Sequence, residues 1–143
     1  MKKIFAVTFV TLLFALTSYA PAQTSTPKAD FVINCAEKTL NAPAGTTVAF
    51  QLSLTPLNGF DGSAALSCVS SMPGVTCEAP SGTVRLGPTV VVPFEITAKA
   101  GGTGPAGTYP IIVTVKGSYG SPMRLGNVSH TEMLYLTTAT ITP

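Results

Sequence analysis

Two of the three cysteines lie close together in the stretch LSCVSSMPGVTCEAP, on either side of a Met-Pro-Gly turn. Paired cysteines are common in proteins that fold in an oxidising compartment, and this turn allows Cys68 to reach Cys77. A redox pair or metal ligands are disfavoured, because the spacing is not CxxC and no further His or Cys lies nearby to complete a zinc site. We therefore predict a Cys68–Cys77 disulfide that clamps a local turn and does not join two sheets, worth about 2.5–3 kcal/mol of stability.

The third cysteine, Cys35, is left unpaired by this assignment. Phe31, Ile33 and Cys35 alternate along one segment and therefore share one face of the strand that it forms. This favours a thiol buried as a small hydrophobic side chain. The alternative is an intermolecular disulfide that makes a dimer, so the oligomeric state stays open.

The only histidine, His130 in NVSHTEM, is the natural starting point for catalysis. A Ser-His-Asp arrangement would draw on Asp30 or Asp61, but no G-x-S-x-G nucleophile elbow is present. Asp61, in NGFDGS, has a role available in a tight turn. We predict no catalytic residue, no cofactor and no enzyme activity, with His130 on the surface.

Met123, His130 and Met133 form a second set, with the ligand chemistry that suits copper(I). Their spacing could converge across a final hairpin. A periplasmic copper-binding protein is therefore the alternative function. In the competing interpretation Met133 packs, Met123 lies in a loop and His130 is solvated.

The elements that must position these residues are strands. Gly and Pro recur every few residues, and the runs between them favour Val, Ile, Thr, Phe and Tyr. Three runs alternate with period two, and Pro93 and Pro110 fall on their outward phase, where edges, strand ends or bulges are expected. The inward members are predicted to be Val48, Phe50, Leu52, Leu54, Val90, Val92, Phe94, Ile96, Tyr109, Ile111, Val113 and Val115.

Short strands separated by turns predict an all-β sandwich of about seven or eight strands, with a small closed barrel as the structural alternative. The candidate segments, some of them short, are Phe31–Cys35, Lys38–Ala42, Thr46–Thr55, Ala64–Val69, Val75–Glu78, Thr83–Leu86, Thr89–Ala98, Thr108–Lys116 and Ser129–Ile141.

The order of four motifs carries a family resemblance. An opening DFVINC is followed by a long alternating strand ending in LTPLNGF, then by LSC and TC, and then by PAGTYPIIVTV. Over Asp30–Gly117 the chain resembles the immunoglobulin-like β-sandwich modules of secreted and cell-surface bacterial proteins. The resemblance implies an antiparallel sandwich with a binding or structural role. Tyr109 of PAGTY stands where sandwiches often carry a tyrosine corner, a buried ring whose hydroxyl bonds nearby backbone.

The first residues are typical of an export signal. Lys2 and Lys3 precede an apolar run, Ile4–Leu16, and Ala20-Pro21-Ala22 fits a cleavage site. We predict a signal peptide over residues 1–22, a flexible leader over 23–29 and one domain over 30–143. A membrane anchor is the alternative, but the run is shorter than the roughly 20 apolar residues of a spanning helix.

The charge balance argues against two classes of partner. Lys2 and Lys3 account for the net charge of +2, and the remaining basic and acidic residues are equal in number and scattered. Nucleic acids and anionic membrane surfaces attract clustered Lys and Arg. We therefore expect no nucleic-acid partner and no membrane insertion after signal cleavage.

The function that these features favour is an exported, non-catalytic binding or structural protein, periplasmic, secreted or on the cell surface. Gly117–Asn127, GSYGSPMRLGN, looks longer than a tight hairpin requires and mixes apolar with cationic residues. Tyr, Met and Arg are enriched in protein interfaces. We predict that Tyr119, Met123, Arg124 and Leu125 contact an unknown protein or surface partner, the alternative being a merely variable loop.

Overall fold

Segments with alternating apolar side chains form strands along most of the chain that the structure, a computed structural model, describes: residues 25–71, 73–102, 105–121 and 124–139. These residues form nine strands, one for each predicted segment. They are β1 Asp30–Cys35, β2 Thr39–Pro43, β3 Thr47–Leu57, β4 Gly62–Ser70, β5 Val75–Glu78, β6 Thr83–Leu86, β7 Val92–Ala100, β8 Gly107–Ser121 and β9 Arg124–Ala139.

The strands form two sheets that pack face to face. One sheet has the order β1-β3-β7-β5, and the other has the order β2-β9-β8-β4-β6. Every pairing is antiparallel except that of β2 with β9, which is parallel. The all-β sandwich is therefore confirmed, and the closed barrel is wrong because the strands divide between two separate sheets.

The core consists of the inward phase of the alternating strands. Most of the predicted inward residues are buried, and Phe50, Leu54, Ile96, Ile111, Val113 and Val115 are completely buried. The prediction that Val90 faces inward is wrong, because Val90 is 57% exposed. Its N–H bonds the carbonyl of Gly87 in a turn, and β7 begins only at Val92. Pro93 and Pro110 lie near the beginnings of β7 and β8, where a flanking strand on one side has already ended.

The final hairpin differs from its prediction. The β8–β9 ladder runs without interruption from Gly107 opposite Thr138 to Ser121 opposite Arg124, and only residues 122–123 connect the two strands. Gly117–Asn127 is thus the tip of a long, tight hairpin and is not an extended loop. Glycines concealed the strand in the sequence, because they interrupt the apolar alternation without ending the hydrogen-bonded ladder.

Two turns hold aromatic residues in place. Asn58 and Gly59 both have positive φ, 52° and 71°, and this tight turn after β3 delivers Phe60 to the interior. At the start of β8, the Tyr109 ring is buried and its hydroxyl donates to the backbone carbonyl of Pro105. The predicted tyrosine corner is therefore confirmed, both in the burial of its ring and in the bond of its hydroxyl to nearby backbone.

The predicted disulfide is present, but it does not clamp a simple turn. Cys68 lies on β4 and Cys77 on β5, which belong to different sheets. Both residues lie on the inward-facing positions of their strands, so the bond links the facing sides of the two sheets. The description as a local clamp is wrong because the chain changes sheets between the two cysteines.

The ends of the chain are only partly described. Residues 1–22, the predicted signal peptide, lie outside the described residues, and residues 25–29 of the predicted leader form no regular structure. The leader nevertheless touches the fold, because the side-chain amide of Asn58 donates to the carbonyl of Lys28 at 3.0 Å. None of the described segments forms a helix long and apolar enough to cross a membrane.

Candidate functional site

The β8–β9 hairpin tip, which contains the predicted contact residues, is anchored by a row of rings. Tyr119 packs edge-to-face on Phe60, with ring centroids 5.4 Å apart, and Phe60 packs likewise on Phe31 at 5.3 Å. The row ends at His130, whose ring lies 5.0 Å from that of Phe31. Tyr119 therefore helps to close the core, which is a structural task that the sequence analysis did not assign to it.

Glycines make room for these rings. A Cβ on Gly117 would lie 2.5 Å from the ring of Phe31 and 2.9 Å from that of Phe60. Across the hairpin, Tyr119 covers Gly126, where a Cβ would overlap its ring. The glycine and tyrosine content of the hairpin tip is thus explained by packing.

Of the four predicted contact residues, Leu125 has the clearest exposure. It points outward from β9 and is 89% exposed, whereas Tyr119 is only partly exposed. The backbone of Arg124 continues β9, its side chain is not described, and Met123 lies outside the described residues. Tyr119 lies opposite Gly126, so Leu125 and Tyr119 are on opposite faces of the hairpin.

The single histidine has a partner that sequence analysis raised only as a possibility. His130 Nε2 lies 2.6 Å from the Asp30 Oδ1 atom, and since a carboxylate only accepts, the ring nitrogen donates. Asp30 is on β1 and His130 on β9, so this pair also joins the two sheets. His130 is therefore half-buried and is not the free surface residue that was predicted.

Burial and hydrogen bonding act on Asp30 in opposite directions. Burial alone would raise the pKa of its carboxyl group, but the hydrogen bond from His130 and that from the Phe31 N–H outweigh it. The pKa of Asp30 is consequently lowered from its ordinary value of 3.8.

A second ion pair also involves β9, the strand of His130. Lys38, just before β2, forms an ion pair with Glu132 of β9. Cys35 is free and half-buried, and its thiol donates to the carbonyl of Glu37 at 3.1 Å. It faces the interior as predicted, although it is less deeply buried than expected, and burial raises the pKa of the thiol. A raised thiol pKa reduces the thiolate fraction and therefore the reactivity.

The structure does not bring the proposed copper ligands together. His130 lies on the inward phase of β9, whereas Met133 lies on the outward phase and accepts a hydrogen bond from the Tyr135 hydroxyl. Residues three apart in a strand point to opposite faces, a signal that was already available from the spacing. Met123 lies outside the described residues, among which no cluster of three His, Cys, Asp or Glu side chains could hold a metal ion.

Comparison with known proteins identifies the type of fold. No protein-family model matches the chain, and no curated protein matches its sequence. Domains 4 and 5 of the S-layer protein SbsC are similar in structure, with a TM-score of 0.52 and 10% identity over 79% of this chain and 54% of that one. This chain therefore spans about half the length of that structure.

Two further structures are similar at lower scores. A PapD-like domain of human CEP192 has a TM-score of 0.49 and 15% identity, covering 96% of this chain and 99% of that one. The E. coli chaperone DraB has a TM-score of 0.47 and 13% identity, covering 76% and 54%. Together with the strand order, the S-layer likeness defines the chain as an immunoglobulin-like β-sandwich.

The packing at Gly117 leads to a stability prediction. Gly117→Ala should lower the free energy of unfolding by about 1–3 kcal/mol, because the added methyl group overpacks two buried rings. Gly120→Ala is the matched control, since its Cβ would meet only the end of the exposed Leu125 side chain. Urea denaturation of both variants measures the difference, and an equal effect would contradict the packing argument.

The Asp30–His130 pair leads to a pH prediction. Because the pKa of Asp30 is lowered in the fold, its stabilisation is present above the ordinary carboxyl value and is lost as the pH falls through the lowered one. Asp30→Asn should therefore be less stable than the wild type at neutral pH, and the gap should close in acid. Denaturation midpoints from pH 7 downwards test this.

The control for that measurement is Asp61→Asn. Asp61 forms an exposed ion pair with Arg85, and exposed pairs contribute only about 0–1 kcal/mol. This variant should change the midpoint little at neutral pH. A gap between Asp30→Asn and the wild type that stayed constant down to the lowest pH would refute the proposed linkage.

Proposed function

We propose that this protein is an exported, non-catalytic immunoglobulin-like domain that binds another protein or a surface at the cell envelope or outside the cell. The observation that carries the binding role is the hairpin tip, where Leu125 is 89% exposed on the outward face. Isolated exposed apolar residues are common, but this one stands on a rigid two-stranded element. Recognition residues are often presented in this way by a rigid scaffold.

Two features support an exported location. The Cys68–Cys77 disulfide joins two sheets of the fold, and structural disulfides persist in oxidising compartments. The apolar segment that follows Lys2 and Lys3, with its Ala20-Pro21-Ala22 site, has the pattern of a signal peptide. The similar S-layer structure agrees with a surface role, but at 10% identity it is evidence of fold alone.

The structural tasks of the polar residues support a non-catalytic role. Asp30 and His130 bond each other, Glu132 bonds Lys38, and Asp61 bonds Arg85. The three residues raised as catalytic candidates, Asp30, Asp61 and His130, are thus each engaged in an ion pair. Copper binding is not retained as a second function, because His130 and Met133 face opposite sides of β9.

Export is tested by the mass of the protein. The full coding sequence should yield a chain that begins near Gln23, because cleavage is expected after Ala22. Intact-mass measurement of protein from the periplasm, medium and cell surface gives the result. Recovery of the chain only with Met1 retained, inside the cell, would overturn the proposed location.

Binding is tested at the hairpin tip with a substitution that spares the core. Arg124→Ala combined with Leu125→Ser should abolish capture of envelope components by the tagged protein without changing its unfolding midpoint. Val69→Ser is the matched control, because Val69 is 61% exposed on the outward phase of β4, away from the tip. Equal capture by the wild type and both variants would place the binding surface elsewhere.

A further inference from the structure

The outward face of the β8–β9 hairpin carries a row of paired side chains that takes no part in the core. Pairs of outward residues face each other across the two strands: Gly120 with Leu125, Ser118 with Asn127, and Lys116 with Ser129. Successive outward positions on a strand are about 7 Å apart. The pairs therefore follow one another in steps from the tip of the hairpin towards the middle of the sheet.

These residues line a groove. A depression of about 440 Å³ lies along Lys116, Ser118 and Asn127. A second depression, of about 300 Å³, extends from Ser118 to Leu125. Because Ser118 lines both, they adjoin and form what we call the hairpin groove, lined by Lys116, Ser118, Asn127, Ser129 and Leu125. Small glycine and serine residues of β8 leave this space between the longer side chains.

The polar side chains of the hairpin groove are available to a ligand. Lys116, Asn127 and Ser129 are exposed and form no side-chain hydrogen bond or ion pair with another described residue. The other charges described on this face, Arg85 and Asp61, bind each other. Lys116 is therefore the unpaired charge of this face among the side chains that the structure describes.

The two outward faces of the sandwich differ in charge. On the four-stranded sheet, the outward positions of β5 and β7 hold two carboxylates and one ammonium group, those of Glu78, Glu95 and Lys99. The five-stranded sheet has the unpaired Lys116 together with one neutral ion pair. Electrostatic complementarity therefore favours a negatively charged ligand on the face that holds the hairpin groove.

The composition of the groove indicates what kind of ligand carries that charge. Protein interfaces are depleted in Lys and Ser, which line this groove, and nucleic acids require clustered cations. Small molecules favour enclosed, mostly apolar pockets, whereas this groove lies on the open face of a sheet. Hydroxyl and amide groups both donate and accept hydrogen bonds, as the hydroxyls of a sugar do. A sugar chain with acidic groups therefore matches both the charge and the hydrogen-bonding groups.

We propose that the hairpin groove binds an acidic polysaccharide, a sugar polymer that carries carboxylate or sulfate groups. The Lys116 ammonium pairs with the acidic group, and Asn127 and Ser129 bond hydroxyls of the same ring. Leu125, which is 89% exposed, packs on the C–H face of a neighbouring ring. The inference rests on the proposed binding role and names the class of partner for the same hairpin.

Purified polymers separate the contribution of charge from that of the sugar. Polygalacturonate has both carboxylates and sugar rings, and dextran sulfate replaces the carboxylate by sulfate. Dextran has sugar rings without charge, and polyglutamate has carboxylates without sugar rings. Calorimetry with the exported protein should show tighter binding of at least one acidic polysaccharide than of dextran or polyglutamate, and salt should weaken it. Equally tight binding of polyglutamate would overturn the proposal.

Matched lysine substitutions test the groove itself. Lys116→Gln should weaken the binding of the preferred polymer about fivefold, as expected for the loss of one exposed ion pair. Lys99→Gln is the control, because Lys99 is exposed at an outward position of the other sheet, and it should leave binding unchanged. Both substitutions are at the surface, so the unfolding midpoint should stay the same. Equal loss of binding in the two variants would contradict a site at the hairpin.

Amide chemical shifts locate the ligand independently of any substitution. When a short oligomer of the preferred polymer is added, the shifts should change at Lys116, Ser118, Asn127 and Ser129. They should stay constant on the outward face of the four-stranded sheet. Changes confined to that other face would overturn the assignment of the site.

The outcomes separate this proposal from the broader one. A protein that binds none of the polymers, but captures an envelope protein through its hairpin tip, would overturn the polysaccharide site and leave the proposed function standing. Polysaccharide binding that depends on Lys116, with no capture of any envelope component, would support the site and remove the broader role at the envelope.

Discussion

Burial of the two inward apolar faces against each other is the constraint on which the rest of this structure depends. Non-directional burial of apolar surface is the main favourable term in folding, and here it acts through strict period-two alternation. Phe50 and Ile96 come from one sheet, and Val113 and Leu134 come from the other, and all four are completely buried. Any one-residue slip of register would expose such a set, so the core also fixes the pairing of the strands.

The margins of the sandwich are joined by different chemistry on the two sides. On one side the Cys68–Cys77 bond links β4 to β5 covalently. On the other side the Asp30–His130 pair and the contact of Phe31 with the His130 ring link β1 to β9. The first link depends on the redox environment and the second on pH, so each margin responds to a different condition.

The hairpin illustrates how packing and function divide the same residues. Its inward side is committed to the fold, because Tyr119 packs on Phe60 and covers Gly126. Its outward side has no such task among the described residues, and it presents Leu125, which is 89% exposed. The outward face of β9 is therefore where the proposed binding role is placed, and the row of rings packs beneath it.

Much of this architecture was determined by the sequence alone. The period-two runs predicted the strands and most of the core, since alternation is a local property of the chain. The disulfide partners and the tyrosine corner at Tyr109 followed from short motifs for the same reason.

The remaining features depended on which segments meet in space, and only the tertiary structure decided them. Asp30 and His130 are 100 residues apart, and they meet because β1 and β9 lie along the same margin of two different sheets. The disulfide became an inter-sheet bond because the chain changes sheets between β4 and β5. The glycines at the hairpin tip suggested a loop, but Gly117 is required by the rings of Phe31 and Phe60, which come from distant parts of the chain. Local patterns specify which way a side chain points, whereas the side chain that it meets is set by the packing of whole sheets.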